Sequence, residues 1–353
     1  MLLFSLKRKK LISVTLAIVL LVYPLAIDGA EQRVYYVSPN GNDNNDGLTP
    51  NTPFKSIMKA LKLAKAGDTI ILADGVYRED IDSVRDGEEN NPITIKGNKD
   101  AILKAKNDDR IVEINHDYII LQGFTIDGHY KKEGKDYYTD KLIWVQGASN
   151  VRIINMTIKN AGDECIRLKY FASNNEIAYN IIRNCGVTDF KYNGGGKNGE
   201  LIYIGTAPEQ LHKNPTDDID RSNNNWIHHN LFDVRGSECV DIKEGSMYNL
   251  IEYNICRSMD DEDSGGFSIR GNNNIIRYNE IYDNKGVGIR LGGDTEQDGI
   301  NNDVYDNIIY NNKKGAIRFI VEPQNKICNN TIYDEKVTSG KYKDIYNPTV
   351  ACN

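Results

Sequence analysis

Short alternating runs of apolar and polar residues fill the chain from about residue 68 to residue 340, and asparagine or glycine interrupts each run. Alternation with a period of two is typical of β-strands, whereas an amphipathic helix repeats its apolar positions every three or four residues. No run of helix length with a helical period occurs among these repeats. The pattern therefore predicts an all-β protein made of short strands.

The strand pattern is repeated, with an asparagine at one fixed position of each unit. Seven segments align on this position, and their asparagines are Asn155, Asn180, Asn230, Asn254, Asn279, Asn307 and Asn330. The intervals are 23 to 28 residues, except for one of 50 residues that contains long insertions. Repeats of short strands with this period are typical of a parallel β-helix, in which each coil pairs only with its neighbours. We predict a single-domain right-handed parallel β-helix whose asparagines stack in a ladder, about 4.8 Å apart.

The amino-terminal end of such a solenoid needs a cover, because unpaired strand edges recruit other chains. Residues 52–67 predict a capping helix. Its N-cap would be Thr52, its first helical residue Pro53 and its stop Gly67. The surrounding segment, residues 35–79, resembles the amino-terminal cap of many secreted β-helix proteins that act on carbohydrate. This resemblance supports the predicted fold and export more strongly than it supports any particular reaction.

The first 30 residues have the composition of a secretory signal, since four basic residues from Lys7 to Lys10 precede an apolar run from Leu11 to about Ile27. The run is also about long enough for an uncleaved anchor. We therefore expect a secreted, extracellular protein, with membrane anchoring through the amino terminus as the alternative. The predicted organisation is a signal or anchor over residues 1–30, a cap over 31–67, the β-helix over 68–340 and a tail over 341–353.

The chain is acidic, with a formal net charge of -7 at pH 7. Removal of residues 1–30 would take away four basic residues and one acidic residue, which moves the net charge to about -10. This balance excludes a general nucleic-acid partner. Six cysteines in an exported chain favour disulfides. We expect a bond between Cys328 and Cys352 in the tail, and a free buried thiol at Cys256, which takes an apolar position of its repeat.

Two similar segments, GDECIRLK at 162–169 and GSECVDIK at 236–243, carry charged residues around a short strand. In the repeat alignment the strand of the intervening coil is ELIYIG at 200–205. Alternation sends the branched apolar residues inward and the polar residues outward. One outward column would contain Arg167, Tyr203, Asp241, Ser268 and Arg290, and the neighbouring column would contain Lys169, Lys243 and Arg270.

Three glutamates, Glu164, Glu200 and Glu238, begin successive strands, so stacking would bring their carboxylates about 5 Å apart. Carboxylates this close repel one another unless a cation lies among them, whether lysine, arginine or a hard metal ion such as Ca²⁺. The alternative is a solvated ladder of surface ion pairs.

Long insertions beside these charges favour a walled groove over a solvated ladder. They cover residues 129–141, 187–199 and 207–222. Aromatic side chains in the insertions, among them Tyr192 and His212, have flat faces and polar tips that suit sugar rings.

The stretch from GSECVDIKEG to GVGIRLGG resembles the core coils of the chondroitinase B and alginate lyase family of β-helix polysaccharide lyases. In that family a Glu precedes the catalytic Lys by five residues, and an Arg followed by a Gly-Asn turn lies on the next coil. Glu238, Lys243 and Arg270 match these positions. The family has a second metal-binding Glu two residues before the first, where this chain has Gly236.

The resemblance implies a lyase of acidic polysaccharides, with Lys243 as base and Arg270 assisting. A calcium ion would be held by Glu238, with Glu200 or Asp241 in place of the missing ligand. The segment GVGIRLGG is also similar to calcium-dependent β-helix pectate lyases, with Arg290 where their basic catalyst stands. The predicted substrate contacts are Arg290, Tyr203, Lys169, Tyr192 and His212.

Two other functions fit the same residues. A glycoside hydrolase needs two carboxylic acids about 5–10 Å apart, which Glu200, Glu238 and Asp241 could supply. A non-catalytic surface or adhesion protein needs only the fold. We expect a monomer whose partner is an acidic polysaccharide substrate.

Overall fold

The computed structural model describes residues 32–106, 109–130 and 137–352, so the predicted signal or anchor lies outside the described residues. Within these ranges the strands form three parallel sheets of 11, 10 and 10 strands. Each strand pairs with the equivalent strand of the coil before and the coil after, as a β-helix requires. The all-β class and the parallel β-helix are therefore confirmed. No helix in the described ranges is long and apolar enough to cross a membrane.

The strands of each sheet stack in the order in which they occur along the chain. Sheet 1 contains Val34–Val37, Thr69–Leu72, Ile93–Lys96, Ile119–Gln122, Arg152–Ile154, Glu176–Ala178, Trp226–His228, Leu250–Glu252, Ile275–Arg277, Asp303–Tyr305 and Ile327–Cys328. Sheet 2 contains Gly75–Arg78, Ala101–Lys104, Thr125–Asp127, Thr157–Lys159, Ile181–Arg183, Leu231–Asp233, Ile255–Arg257, Glu280–Tyr282, Ile308–Tyr310 and Thr331–Ile332. Sheet 3 contains Ile81–Asp82, Arg110–Ile114, Lys141–Gln146, Ile166–Lys169, Ile202–Ile204, Val240–Ile242, Gly265–Ile269, Val287–Leu291, Ile317–Phe319 and Thr338–Ser339.

One continuous apolar core runs along the inside of the three sheets. In sheet 3, for example, Ile166 and Leu168 are fully buried in the core, while Arg167 between them points to the other face. Three disulfides join Cys165 to Cys185, Cys239 to Cys256 and Cys328 to Cys352. The tail pairing is the one that the sequence favoured. The expected free thiol at Cys256 is wrong, because the inward side chain of Cys239 lies within bonding distance of it.

In the asparagine ladder, stacked side chains satisfy the hydrogen-bonding groups of one another's buried amides. The side-chain amide of Asn230 donates to Asn254 at 2.9 Å, and that of Asn254 donates to Asn279 at 3.0 Å. Each amide also donates to a main-chain carbonyl, as Asn254 does to Ile227 at 2.9 Å. Since buried polar groups are costly without partners, this network explains why asparagine recurs in a strand-rich repeat. The ladder runs through Asn180, Asn230, Asn254, Asn279, Asn307 and Asn330.

The prediction that Asn155 belongs to this ladder is wrong by one residue. Arg152 pairs with Glu176, which sets Asn155 opposite Tyr179 and Met156 opposite Asn180. Asn155 has a φ of 56°, so it forms the left-handed turn before the ladder, a conformation that asparagine tolerates. Met156 takes the ladder position, and its backbone N–H donates to the Asn180 side chain at 2.8 Å.

A second ladder at another bend of the coil was not predicted. The amide of Asn225 donates to Asn249 at 3.0 Å, and that of Asn249 donates to Asn274 at 3.1 Å. Backbone N–H groups extend this ladder to Asn175 at one end and to Asn302 and Gln324 at the other.

The capping helix is shorter than predicted and spans Ile57–Leu63. Its N-cap is Ser56, whose hydroxyl accepts from the Lys59 N–H, and not Thr52. Phe54 prevents an earlier start, because its backbone exchanges hydrogen bonds with Tyr36 and Ser38 at 2.9 Å. The strand stack also begins earlier than predicted, since Val34–Val37 within the cap pairs with the next strand of sheet 1.

We expect Asn254→Ala to destabilise the protein by at least about 2 kcal/mol, because it leaves several buried hydrogen-bonding groups without partners. Urea unfolding followed by circular dichroism measures this change. Asn44→Ala is the control, since Asn44 is exposed in the cap segment. Equal effects of the two substitutions would contradict a stabilising role for the ladder.

Candidate functional site

The outer face of sheet 3 carries the two polar columns that the sequence predicted. Arg167 pairs with Tyr203, Tyr203 with Asp241, and Asp241 with Ser268, which in turn pairs with Arg290. In the neighbouring column, Lys169 follows Gln146 of the preceding coil. Gly205, Lys243 and Arg270 continue this column, since the backbone N–H of each donates to the coil before.

This face is the floor of a covered groove and not a solvated surface. Arg167 is 5% exposed, Lys169 3% and Asp241 2%. The insertion at 207–222 covers part of the floor and is held down by Asp220. The Asp220 carboxylate accepts hydrogen bonds from the Tyr170 N–H and the Thr206 hydroxyl, both at 2.6 Å. Buried charges are costly without partners, so the presence or absence of a partner for each charge on this floor helps to indicate its role.

Three carboxylates meet on the floor. Glu200, Glu238 and Asp241 each offer an oxygen atom, and these atoms lie within 4.8 Å of one another. All three residues are buried. Burial and repulsion from Glu238 raise the pKa of Glu200 well above its usual value. Burial and the Asp241 charge likewise raise the pKa of Glu238 to about 7.

The cluster fits a hard cation. Among the described residues, Asp241 Oδ1 is buried without a hydrogen-bond partner, which is costly for a carboxylate oxygen. Calcium prefers several carboxylate oxygens and accepts flexible geometry. The three carboxylates therefore offer suitable oxygen ligands, and a bound cation would relieve the repulsion among their negative charges.

Glu164 does not join the cluster, although it precedes Glu200 by one coil. Its carboxylate binds Arg167 at 2.7 Å and Lys141 at 3.3 Å. Burial would raise the pKa of Glu164, but these two cations lower it overall. Protein cations thus neutralise the predicted stack of glutamates at Glu164, but only partly at Glu200 and Glu238.

Lys243 and Arg270 lie beside the cluster. The Lys243 ammonium contacts Asp241 Oδ2 at 2.6 Å and lies 4.6 Å from the centroid of the Tyr203 ring. Burial lowers the pKa of Lys243, but the combined effect of Asp241, Tyr203 and Glu200 outweighs burial and raises the pKa above its usual value. Arg270 binds Glu244 at 2.5 Å and also contacts Asp294.

Tyr203 and Arg290 complete the floor around the cluster. The Arg167 guanidinium lies 3.6 Å from the centroid of the Tyr203 ring. Arg290 donates to the Ser268 hydroxyl at 3.3 Å. Burial and the nearby charge of Arg270 lower the pKa of the Arg290 guanidinium. All the predicted catalytic and metal residues therefore lie together on the outer face of sheet 3.

A cleft of about 420 Å³ opens on the floor towards the amino-terminal coils. It is lined by Lys169 and Tyr203 from the predicted set, together with residues that the sequence analysis missed. Trp144 and Gln146 are the main additions. Their strand, KLIWVQ, aligns with ECIRLK one coil later. The repeat pattern could therefore have placed Trp144 and Gln146 in the two polar columns.

The structure does not bring Tyr192 or His212 into this lining. Tyr192 packs against Tyr138, with ring centroids 6.1 Å apart, and His212 is exposed in the short 3₁₀-helix Pro208–Lys213. The loops contribute Asn198, Gln210 and Lys213 to the cleft instead.

Comparison with known families gives a partial sequence match. A family profile described as "Pel9A-like, right handed beta helix region" matches residues 35–200. The uncharacterized protein YwoF of Bacillus subtilis (strain 168) is 33% identical over 101 residues, which cover 26% of this chain and 21% of YwoF. The chain thus spans about a fifth of this relative.

Comparison with solved structures matches most of the chain. An alginate lyase from Paenibacillus sp. str. FPU-7 has a TM-score of 0.67 and 19% identity, over 80% of this chain and 94% of that enzyme. Pectate lyase Pel9A has a TM-score of 0.56 and 16% identity, over 91% of this chain and 81% of that enzyme. The resemblance to right-handed β-helix polysaccharide lyases is therefore confirmed at the level of the fold.

The raised pKa of Glu238 predicts a pH effect on stability in protein freed of divalent cations by a chelator. Because the folded pKa is about 7 and the usual value is 4.5, the folded state binds this proton more tightly than the unfolded state. The resulting stabilisation is present below about pH 4.5 and is lost as the pH rises to about 7. We expect Tm to fall between about pH 5 and about pH 7.5 for this reason.

Glu238→Gln should show a smaller fall in Tm over the same pH range, because its side chain does not titrate. Thermal unfolding of both proteins at matched ionic strength measures the difference. Parallel pH profiles would show that the Glu238 carboxyl does not carry this proton.

Proposed function

We propose that the protein is a secreted polysaccharide lyase that cleaves a uronic-acid-containing polysaccharide by β-elimination with the help of calcium. The observation that carries this proposal is the contact between a buried three-carboxylate cluster and a lysine, Lys243, on the floor of a groove. The fold shared with an alginate lyase and a pectate lyase supports the same class of reaction.

The chemistry of uronates explains why these groups belong together. Elimination removes the proton on the carbon next to the carboxylate, forms a double bond to the neighbouring carbon and breaks the bond to the glycosidic oxygen. The difficult step makes a carbanion beside a negative charge. It needs a base for the proton and fixed positive charge for the carboxylate.

Glu200, Glu238 and Asp241 would hold the calcium ion. When bound, calcium would neutralise part of the carboxylate charge that now holds Lys243 protonated, and it would polarise the uronate carboxylate. The unpartnered Asp241 Oδ1 supports this assignment.

Lys243 is the proposed base, because its side-chain nitrogen reaches the floor beside the cluster and accepts the proton as a neutral amine. Arg270 stabilises the negative charge that develops on the uronate or assists protonation of the leaving oxygen. Its two acidic partners, Glu244 and Asp294, hold the guanidinium in position. Tyr203 and Arg290 flank these groups in the adjacent column and contact the sugar.

Export is part of the proposal. The six cysteines form three disulfides, and no free cysteine remains. Disulfides form and persist in oxidising compartments outside the cytosol. This supports a secreted enzyme that meets its polysaccharide outside the cell.

The hydrolase alternative has weaker support from the geometry. Retaining enzymes place their two carboxyl groups about 5–5.5 Å apart and inverting enzymes place them about 6.5–9.5 Å apart. Here oxygens of three carboxylates lie within 4.8 Å of one another, an arrangement better suited to a cation.

A substrate screen tests the reaction class. The purified protein is incubated with alginate, polygalacturonate, chondroitin sulfate and a neutral glycan, with calcium or with chelator. Ultraviolet absorbance of unsaturated ends and a reducing-end assay are followed together. A lyase raises both signals, a hydrolase raises only reducing ends, and an adhesion protein raises neither.

We expect Lys243→Ala to lower kcat by at least about 100-fold, because general acid–base groups contribute about 10²–10⁴-fold. Folding should be retained, since the side chain lies on the outer face of the sheet. Initial rates and circular dichroism of the variant measure the two effects. Lys169→Ala, two coils earlier in the same column, should retain most of its kcat at saturating substrate. Equal losses of kcat in the two variants would contradict Lys243 as the base.

We expect calcium to raise Tm, because an ion that binds only the folded state stabilises it by about 2.7 kcal/mol at 100 times its Kd. Glu200→Gln should reduce this calcium-dependent shift, since it removes one ligand charge. Thermal unfolding with calcium, with magnesium and with chelator measures the effect. A Tm that does not respond to calcium or chelator would count against the metal site.

A further inference from the structure

The cleft next to the carboxylate cluster has more positive than negative charge. Five of its lining residues are cationic and three are acidic, which leaves a balance of 5 − 3 = +2. The cationic residues are Arg110, Lys141, Arg167, Lys169 and Lys213, and the acidic residues are Asp109, Asp163 and Glu164. The charge in this cleft is therefore opposite to that of the chain as a whole.

The acidic lining residues are already paired within the protein. The shortest pairs are Asp109 with Arg110 at 3.8 Å, Asp163 with Lys141 at 3.2 Å and Glu164 with Arg167 at 2.7 Å. The excess positive charge thus belongs to the two lysines, Lys169 and Lys213.

Lys169 is the unusual member of the pair, because it is only 3% exposed. Its ammonium lies 4.7 Å from the centroid of the Trp144 ring. In the described part of the chain it has no hydrogen bond or ion pair. Burial and the charge of Arg167 lower the pKa of Lys169 to about 8. The Asp220 carboxylate offsets part of this shift without forming a direct ion pair, so an arriving anion would still relieve the cost of the partly desolvated ammonium.

Gln146 lies beside Lys169 on the adjacent strand. Its side-chain oxygen accepts from the Trp144 indole N–H at 3.3 Å. Within the described residues its amide nitrogen makes no hydrogen bond, so it remains available as a donor. An ammonium and an amide on neighbouring strands can each donate to one oxygen of a carboxylate.

We propose that this cleft is a second acidic-sugar subsite, in which Lys169 and Gln146 bind the carboxylate of a uronate that is not the one being cleaved. Lys213 on the covering loop adds charge at the mouth of the cleft. The inference rests on the proposed function and extends it: the enzyme selects chains in which a second sugar, near the reacting one, is also acidic.

The spacing along the column supports one polymer in both sites. Lys169 and Lys243 are separated by two coil steps, about 10 Å at about 4.8 Å a step. Gly205 is the residue between them, so this position of the column contributes no side chain of its own. A Cβ atom there would lie 2.4 Å from the Ser246 hydroxyl and 3.3 Å from Lys243 Cβ. The Ser246 and Lys243 side chains therefore pack against the Gly205 backbone, where a larger residue would not fit.

The test separates binding from turnover by using the Lys243→Ala protein as the background. Affinity electrophoresis is run in gels that contain alginate, polygalacturonate, carboxyl-reduced polygalacturonate or dextran sulfate. Lys169→Gln in this background should bind a carboxylated glycan about tenfold more weakly, the usual loss for a hydrogen bond to a charged group. Lys169→Arg keeps the charge and should recover part of the affinity. Lys326→Gln, at an exposed position just before the last strand of sheet 1, controls for the loss of one positive charge.

Each outcome bears on the subsite separately from the reaction. Binding of carboxylated glycans that is equal in Lys169→Gln and Lys326→Gln overturns the subsite, and so does an equal loss on the carboxyl-reduced glycan. An effect confined to dextran sulfate overturns the assignment to a carboxylate. If Lys243→Ala proves fully active but Lys169→Gln raises KM about tenfold at unchanged kcat, the base assignment fails while the subsite stands. Circular dichroism of each variant confirms that it is folded.

Discussion

The in-register parallel pairing of successive coils is the constraint on which the rest of the structure depends. It sets each side chain about 4.8 Å from its counterpart one coil away. A residue type can therefore repeat at one position only if it tolerates an identical side chain as its neighbour. Asparagine does, because its amide both donates and accepts, and the buried ladder from Asn180 to Asn330 follows. Carboxylates do not, because they only accept and they repel one another.

The groove floor shows two ways in which that repulsion is resolved. At Glu164 the protein supplies its own cations, Arg167 and Lys141, and the carboxylate pKa stays low. At Glu200 and Glu238 the nearby Lys243 offsets burial and repulsion only in part, and both pKa values rise. Protein interiors rarely keep such unmet charge without a use, since it lowers stability. The contrast between neighbouring coils therefore distinguishes a neutralised ion pair at Glu164 from a cluster with unmet charge, which is the candidate for function.

The sequence predicted the fold and the charged columns because both follow from the repeat period and the alternation of side chains. It failed where one residue type serves two purposes. Asn155 was aligned with the ladder although it forms the preceding turn, because asparagine suits both positions. The predicted helix start at Thr52 was too early because of a tertiary contact, the pairing of Phe54 with sheet 1, that no local propensity contains. The insertions predicted a walled groove but not which residues they would bury, so the depth of Lys169 could not be predicted.

The acidic net charge of the chain and a polyanionic substrate are compatible because the groove separates its charges along the solenoid. The amino-terminal end of the floor has excess positive charge, at Lys169 and Lys213, and the next coils have excess negative charge at the carboxylate cluster. Lys169 and the three carboxylates are buried, so these charges act with less screening than exposed ones. A polymer with carboxylates at regular intervals, together with a hard cation, would neutralise both regions at once. Neither a neutral glycan nor a cation alone would do so.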